Sequence, residues 1–417
     1  MPTRLGADDN YLRQLRLLLE ELCCDLCRFE HVKTDGLSPG AVRIDREVHL
    51  GAPGAYADIR VAPAGRAPYF VEVKYGYPDE TIARHLARKY GRASEATRDA
   101  VKIVLVVDLE GRTDAAACAE AAQRALGGHL ALEVWDERRL LALLRESFRV
   151  DIQAIRADAL IEVRQAIDRA KGIHAFGAES PAAYEHDPLK AELLWHLGFW
   201  RLRELRETRG LNERDILPPG LYRGVAVLIG DLCSFSSYVR DTPDAEIVRQ
   251  SLTAFYSKAR DQVLSGGGML YQFVGDEIVA FFGVPERTDA TPRQALATAR
   301  ALVSIGNSVS NQWQRRIDRI QASGGIHIGM ALGDLQIVSL RPFSRTHIGA
   351  IGDCINVTAR LASVAGPSEI VATNSFHQSL DAAGREGFRE VEPVDLRNVG
   401  RIRAWKLALE PDFLPRE

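Results

Sequence analysis

The sequence has few cysteines, little net charge and no long hydrophobic run. Six cysteines among 417 residues are too few for a disulfide framework in a chain of this length. The 53 basic and 56 acidic residues nearly balance, so net charge gives no general attraction to nucleic acid or to a membrane. No apolar run approaches a membrane span, and the first ten residues lack the features of a signal peptide. We therefore expect a cytoplasmic protein with no membrane partner.

Two apolar stretches each carry one carboxylate at a turn. Residues 225–235 begin with a hydrophobic run that ends on Asp231. Residues 269–282 have the pattern of a β-hairpin, with Gly275 supplying the tight turn and Asp276 following it. Taken singly, such an aspartate is more commonly a cap or turn residue. On neighbouring strands, however, the two carboxylates could hold two Mg²⁺ or Mn²⁺ ions over a triphosphate, because these ions prefer hard oxygen ligands.

A third stretch, residues 351–361, supplies an amide and a guanidinium. Asn356 and Arg360 are four residues apart, so on a helix they share one face and both reach a single phosphoryl group. An Asn/Arg pair of this kind is by itself more commonly a solvated helix face. The order of all three stretches is what favours a phosphoryl-transfer site.

These stretches, with Gly325-Ile-His-Ile-Gly329 between them, resemble the catalytic domain of the class III nucleotidyl cyclases from about Pro218 to Leu409. The resemblance implies a ferredoxin-like α+β domain that cyclises a nucleoside triphosphate and releases pyrophosphate. It implies two divalent cations, Mn²⁺ or Mg²⁺, of which one would bind between Asp231 and Asp276 and the second would hold the β- and γ-phosphates. Asn356 would orient the ribose, and Arg360 would stabilise the pentavalent transition state.

Other groups near these positions complete the predicted site. The backbone carbonyl of Leu232 is a further candidate metal ligand, and the amides of residues 233–236, including Phe235 and Ser236, are candidates to cradle the phosphates. Arg397 falls near the place where related enzymes put a basic residue on the triphosphate. The family builds each site from two chains, so the presence of both half-sites here implies a homodimer with shared active sites and an inactive monomer.

The base pocket departs from the family pattern. Adenylyl cyclases carry a lysine and an aspartate or threonine where this chain has Gln272 and Gly349, and guanylyl cyclases use a glutamate and a small polar residue. Loss of both purine contacts resembles the pyrimidine cyclases of the anti-phage Pycsar systems, whose cyclic nucleotide activates a downstream effector. Gln272 can pair with uracil or, flipped, with cytosine. We expect a uridylate cyclase that makes cyclic UMP as an antiviral defence signal; a cytidylate or adenylate cyclase remains the alternative.

Residues 1–150 have the pattern of a separate α/β domain. Asp58 precedes Glu72 and Lys74, which project from one face of a single strand because side chains alternate along it. This arrangement weakly resembles the PD-(D/E)xK nuclease core, in which the carboxylates hold a metal and the lysine polarises the attacking water. A restriction-endonuclease-like fold used as a sensor, with a vestigial site, is the preferred interpretation. A basic helix near residues 80–93 leaves nucleic-acid binding open.

The predicted order is therefore an α/β domain over 1–150, a helical linker over 151–217, the α+β cyclase domain over 218–409 and a tail over 410–417. An interpretation of another class also stays open. The protein could be a nucleic-acid-binding or cleaving effector that uses a cyclase-like domain only to dimerise.

Overall fold

The computed structural model describes residues 4–109, 114–177, 187–321, 323–340, 347–396 and 400–409. The chain divides into two compact units, unit 1 over Met1–Gly177 and unit 2 over Ala178–Glu417. Among the described residues, helices are either too short or too polar to cross a membrane.

Unit 1 alternates helices and strands around one mixed sheet. Its elements are α1 (Arg4–Thr34), β1 (Val42–His49), β2 (Tyr56–Pro63), β3 (Tyr69–Val73), α2 (Asp79–Tyr90), β4 (Lys102–Val106), α3 (Ala115–Ala125), β5 (Ala131–Trp135), α4 (Glu137–Phe148) and α5 (Leu160–Phe176). The strand order is β1-β2-β3-β4-β5. The first three strands pair antiparallel, whereas β3, β4 and β5 pair parallel across helical connections.

The centre of this sheet is buried, as continuous apolar strands predict. Every residue of β3 is buried, and Ile103 and Leu105 of β4 pack with Ile82 and Leu86 of α2 in one core. The polar exception is Glu72, which is fully buried in β3.

The predicted linker 151–217 is divided between the two units. Its first helix, α5, buries Val163 and Ile167, and His174 meets Phe29 of α1 with ring centroids 5.3 Å apart. The amphipathic pattern of this segment therefore reflects core packing in unit 1, which extends to Gly177.

Unit 2 is built on a second sheet. Its elements are α6 (Pro188–Arg209), α7 (Glu213–Ile216), β6 (Gly220–Leu232), α8 (Phe235–Asp241), α9 (Ala245–Ser265), β7 (Met269–Val274), β8 (Glu277–Phe282), α10 (Thr291–Ile317), β9 (Ile326–Leu340), β10 (His347–Ile351), α11 (Asp353–Val364), β11 (Glu369–Thr373), α12 (Asn374–Ser379), α13 (Ala382–Arg385), β12 (Phe388–Leu396) and β13 (Gly400–Ala408). The described strands order as β12-β13-β11-β9-β6-β8-β7, and β10 pairs with β9.

Strand β6 lies inside this sheet, between β8 and β9, and is antiparallel to both. Val227, Leu228 and Ile229 are successive residues and all are buried, so both faces of the strand are covered. One face belongs to a core shared with α9 and α10. The strand ends at a fixed point of the sheet, and that end carries Asp231.

Candidate active site

The ends of three strands bring Asp231 and Asp276 together. Asp231 lies opposite Glu277 of β8, and Asp276 directly precedes Glu277 in the hairpin turn. Gly275 makes this turn with φ of 64°, a conformation that favours glycine. As a result, the Asp231 and Asp276 carboxyl groups lie close enough for each to shift the pKa of the other.

This contact changes the acidity of both groups. Burial, the Asp231 hydrogen bond and the Asp231 charge together raise the pKa of Asp276 to about 8. Burial opposes ionisation of Asp231 too, but hydrogen bonds from His327 and Asp276 outweigh it and lower the pKa of Asp231. Near neutral pH the pair therefore retains one proton, because two neighbouring carboxylates resist carrying two negative charges.

The donor set at this end of β6 fits hard divalent cations. Two facing carboxylates leave most coordination positions to water and phosphate oxygens, as Mg²⁺ and Mn²⁺ sites on nucleotides require. Within the described ranges, no three histidine, cysteine, aspartate or glutamate side chains are grouped to hold a metal ion by themselves.

His327 is a neighbour of this site to which the sequence analysis gave no role. Its Nε2 lies 3.5 Å from Oδ2 of Asp231, and its Nδ1 lies 3.4 Å from Sγ of Cys233. His327 is placed there because β9 pairs with β6 in a register that sets it opposite Asp231. The only signal in the sequence is a polar residue between two buried isoleucines, Ile326 and Ile328.

Not all of the backbone amides predicted to bind phosphate are available, because one of them donates to another backbone group. The N–H of Cys233 donates to the Gly325 carbonyl at 3.0 Å, so this predicted amide has a partner within the protein. Helix α8 begins at Phe235, after Ser234 with φ of 60°, and the first amides of a helix lack intrahelical partners. The amides of Phe235 and Ser236 therefore remain the candidates for phosphate.

Asn356 and Arg360 lie on the exposed side of α11, while Thr358 between them is fully buried. In the portion of the chain that the structure describes, neither side chain hydrogen-bonds to Asp231 or Asp276. One chain thus presents the two predicted half-sites separately.

A close approach of backbones fixes the position of α11. A Cβ atom on Gly329 of β9 would overlap the Thr358 carbonyl oxygen and would lie 2.5 Å from the Ala362 nitrogen. Glycine therefore allows the helix to lie directly on the strand. The placement of Asn356 and Arg360 depends on this contact.

The two predicted base-reading positions differ in their surroundings. Gln272 of β7 is half-buried and pairs with Val279, next to a bulge that leaves Tyr271 unpaired. Gly349 of β10 is buried, and a Cβ atom there would lie 2.9 Å from Cγ2 of Val338. No side chain fits at Gly349 without a shift of its neighbours.

The neighbouring aromatic residues divide between two environments. The hydroxyl of Tyr271 accepts a hydrogen bond from the Ala350 amide at 3.2 Å, whereas Phe273 stacks on Tyr256 with ring centroids 4.0 Å apart. Tyr271 therefore contacts Ala350, which follows Gly349 in β10. Arg397, the remaining predicted triphosphate ligand, lies outside the described residues.

In unit 1 the structure brings Asp58, Glu72 and Lys74 into one cluster. Nζ of Lys74 lies 2.7 Å from Asp58 and 2.6 Å from Glu72. Lys89 belongs to the predicted basic helix, which is α2, and its ammonium group contacts the same two carboxylates. The nuclease-like interpretation of unit 1 stays a prediction.

Comparisons with known proteins bear on unit 2. Residues 218–408 match the family model described as the adenylate and guanylate cyclase catalytic domain. Uncharacterized protein Rv1320c of Mycobacterium tuberculosis is 31% identical over 173 residues, which are 40% of this chain and 28% of the relative. Uncharacterized protein Rv1319c of the same organism is 28% identical over 208 residues, 49% of this chain and 36% of the relative. The chain therefore spans about a third of the length of these relatives.

Two solved structures are similar to part of this chain. The guanylyl cyclase Cya2 has 23% identity and a TM-score of 0.40, and the match covers 46% of this chain and 97% of that one. The adenylyl cyclase CyaB from P. aeruginosa has 19% identity and a TM-score of 0.41, with the same two coverages. The family model supports the assignment directly, and it agrees with the motifs found in the sequence. Residues 218–408 are a catalytic domain of the adenylate and guanylate cyclase class.

Proposed function

We propose that this protein is a homodimeric nucleotide cyclase that converts UTP to 3′,5′-cyclic UMP and pyrophosphate. The observation that carries the proposal is that the ends of neighbouring strands place Asp231 beside Asp276, where each carboxyl group shifts the pKa of the other. Such a pair binds divalent cations readily once the proton leaves.

Asp231, Asp276 and the carbonyl of Leu232 are the proposed ligands of two divalent cations, Mg²⁺ or Mn²⁺. When bound, the cations lower the pKa of the ribose 3′-hydroxyl and neutralise phosphate charge. The hydroxyl would lose its proton to water, its oxygen would form a bond to the α-phosphorus, the bond from that phosphorus to the bridging oxygen would break, and pyrophosphate would leave. His327 contacts Asp231, so it helps to hold this carboxylate in place.

The remaining polar groups are proposed to position the triphosphate and the ribose. The amides of Phe235 and Ser236 would donate to phosphate oxygens, with Arg397 as a further cationic contact. Asn356 would orient the ribose, and Arg360 would donate to the pentavalent phosphorus group, where negative charge develops.

The proposed dimer follows from the separation of these half-sites. Asn356 and Arg360 are exposed on α11 and do not bond to the aspartates of their own chain in the described structure. A second copy related by a twofold axis would add its Asn356 and Arg360 to the aspartates of the first, which gives two equivalent sites.

The proposed preference for a pyrimidine rests on Gln272 and Gly349. A side chain at Gly349 that reads the adenine edge would have to displace Val338 and Leu340, whose side-chain atoms would lie 2.9 and 3.1 Å from its Cβ. Gln272 offers one donor and one acceptor, which match the O4 and N3–H groups of uracil and, with the amide flipped, the edge of cytosine. Cytidylate and adenylate cyclases are the alternatives.

The biological role is proposed by resemblance to the anti-phage Pycsar systems. In that role, residues 1–150 act as a sensor, the cyclase domain makes a cyclic pyrimidine nucleotide, and a separate effector responds to it. A protein of another class, which binds or cuts nucleic acid and uses the cyclase-like domain only to dimerise, would not require all of Asp231, Asp276, Asn356 and Arg360.

The deciding experiment incubates the purified chain with ATP, GTP, CTP and UTP separately in Mn²⁺, followed by mass identification of the products. Cyclic UMP that disappears in Asp276→Asn supports the proposal, and cyclic CMP points to the cytidylate alternative. Cyclic AMP as the main product contradicts the base-pocket argument. DNA nicking that is lost in Lys74→Ala, without any cyclic product, favours the effector of another class.

A further inference from the structure

The cluster in unit 1 contains two lysines for its two carboxylates. Asp58 lies on β2 and Glu72 on β3, while Lys89 reaches them from α2. Nζ of Lys89 lies 3.3 Å from Oδ1 of Asp58 and 2.7 Å from Oε2 of Glu72. Its ammonium group thus bridges the two acids, which is the position that a divalent cation takes between paired carboxylates.

Both carboxylate oxygens of Glu72 already accept as many hydrogen bonds as they can. Its Oε1 accepts from the Tyr90 hydroxyl at 2.6 Å and from Lys89 at 3.0 Å. Its Oε2 accepts from Lys89 at 2.7 Å and lies 2.6 Å from Nζ of Lys74. Two carboxylate oxygens offer about four lone-pair positions, and Glu72 is fully buried. A metal ion can bind Glu72 only if one of these donors leaves.

The charges of the cluster already balance. Asp58 and Glu72 together carry two negative charges, and Lys74 and Lys89 carry two positive charges. Burial opposes the charge of Lys74, but Asp58 and Glu72 outweigh it and raise the pKa of this ammonium far above its usual range. A divalent cation added to the complete cluster would therefore leave uncompensated positive charge in a buried site.

We propose that Lys89 takes the place of a divalent cation between Asp58 and Glu72 and so keeps unit 1 free of metal. Under this proposal, unit 1 has no metal-dependent cleavage activity, and removal of the Lys89 ammonium opens a latent Mg²⁺ or Mn²⁺ site. The inference concerns unit 1 alone and does not depend on the cyclase assignment.

The test uses the full chain with Asp231→Asn and Asp276→Asn. These two substitutions remove the proposed metal-binding carboxylates of unit 2, so that Mn²⁺ binding to unit 1 can be measured. Mn²⁺ binding is measured by calorimetry and by electron paramagnetic resonance. Lys89→Met in this background should tighten Mn²⁺ binding about tenfold or more, because a competing positive charge is lost. Adding Glu72→Gln should remove the gain. Lys33→Met, at an exposed lysine of the same unit, should leave Mn²⁺ binding unchanged.

Two results would overturn the proposal. The first is Mn²⁺ binding in the background that retains Lys89, if Glu72→Gln abolishes it. The second is a Lys89→Met chain that has the circular dichroism of its parent but gains no Mn²⁺ binding. If Lys89→Met does not fold, Lys89→Gln replaces it. If neither variant folds, the test is Mn²⁺ binding to the Asp231→Asn, Asp276→Asn chain that retains Lys89. Absence of Glu72-dependent Mn²⁺ binding in that chain supports the proposal.

Discussion

Asp231 and Asp276 lie side by side at the ends of neighbouring strands and shift each other's pKa, although 44 residues separate them in the chain. Burial and the neighbouring charge hold a proton on the pair. Cation binding and proton release are therefore linked at this site.

Replacing one of these aspartates should abolish turnover without unfolding the protein. Asp276→Asn removes a proposed metal ligand and is expected to lower kcat about 100-fold or more. Because it also removes one of two facing carboxylates, the melting temperature in a chelator should stay equal or rise. Product formation and thermal melting measure the two effects. Asp289→Asn, at an exposed aspartate, is the matched control.

The protonation of Asp276 predicts a pH dependence with a definite sign. The pKa of Asp276 is about 8 in the folded chain, against a reference value of 3.8. Between about pH 4 and pH 8 the folded chain therefore keeps a proton on Asp276 that the unfolded chain has lost. In chelator, this contribution to the free energy of unfolding is present below about pH 4 and lost as pH rises through about 8.

Mn²⁺ should bind more tightly as pH rises toward 8, because the cation displaces that proton. Calorimetric titrations from pH 6 to pH 9 measure the change, with Asp276→Asn as the control that flattens it. A Mn²⁺ affinity that is independent of pH over this range would contradict the retention of a proton on Asp276.

The proposed dimer predicts complementation between two inactive variants. Asp276→Asn and Arg360→Ala chains each lack one half-site, and each should be inactive alone. Random exchange makes half of the dimers mixed, and each mixed dimer holds one intact site, so the mixture should recover about a quarter of the wild-type rate. Mixed chains that stay inactive after exchange, verified by differently tagged subunits, would argue that each chain builds its own site.

Gly349 should tolerate no side chain. In Gly349→Thr the new atoms meet Val338 and Leu340, and we expect a loss of about 1–3 kcal/mol in the free energy of unfolding. Urea denaturation measures the loss. Gly220→Thr is the control, because a Cβ atom at Gly220 of the same unit has no neighbour within 4 Å.

Gly329 should affect catalysis from a distance. Gly329→Ala forces α11 away from β9, which displaces Asn356 and Arg360 from their productive positions. We expect kcat to fall about tenfold or more while Mn²⁺ binding at Asp231 and Asp276 is kept. An unchanged kcat in a Gly329→Ala chain with the wild-type melting temperature would contradict this prediction, because α11 would then accommodate the added methyl group without moving Asn356 and Arg360.

The sequence by itself determined the local elements that carry the site. Gly275 and the alternating apolar residues around it predict the hairpin, and the structure places β7 and β8 on its two sides. The family match over 218–408 confirms the cyclase-type domain that the three motifs indicated. These features are local because turn conformation and strand pattern depend on residues close together in the chain.

Only the tertiary structure decided which distant groups meet. The register of β9 against β6 places His327 beside Asp231, and the packing of α2 on the sheet places Lys89 between Asp58 and Glu72. The bulge in β7 puts the Tyr271 hydroxyl on the Ala350 amide. Strand register and helix packing are set by the whole core, because a shift of one residue reverses which face each side chain occupies.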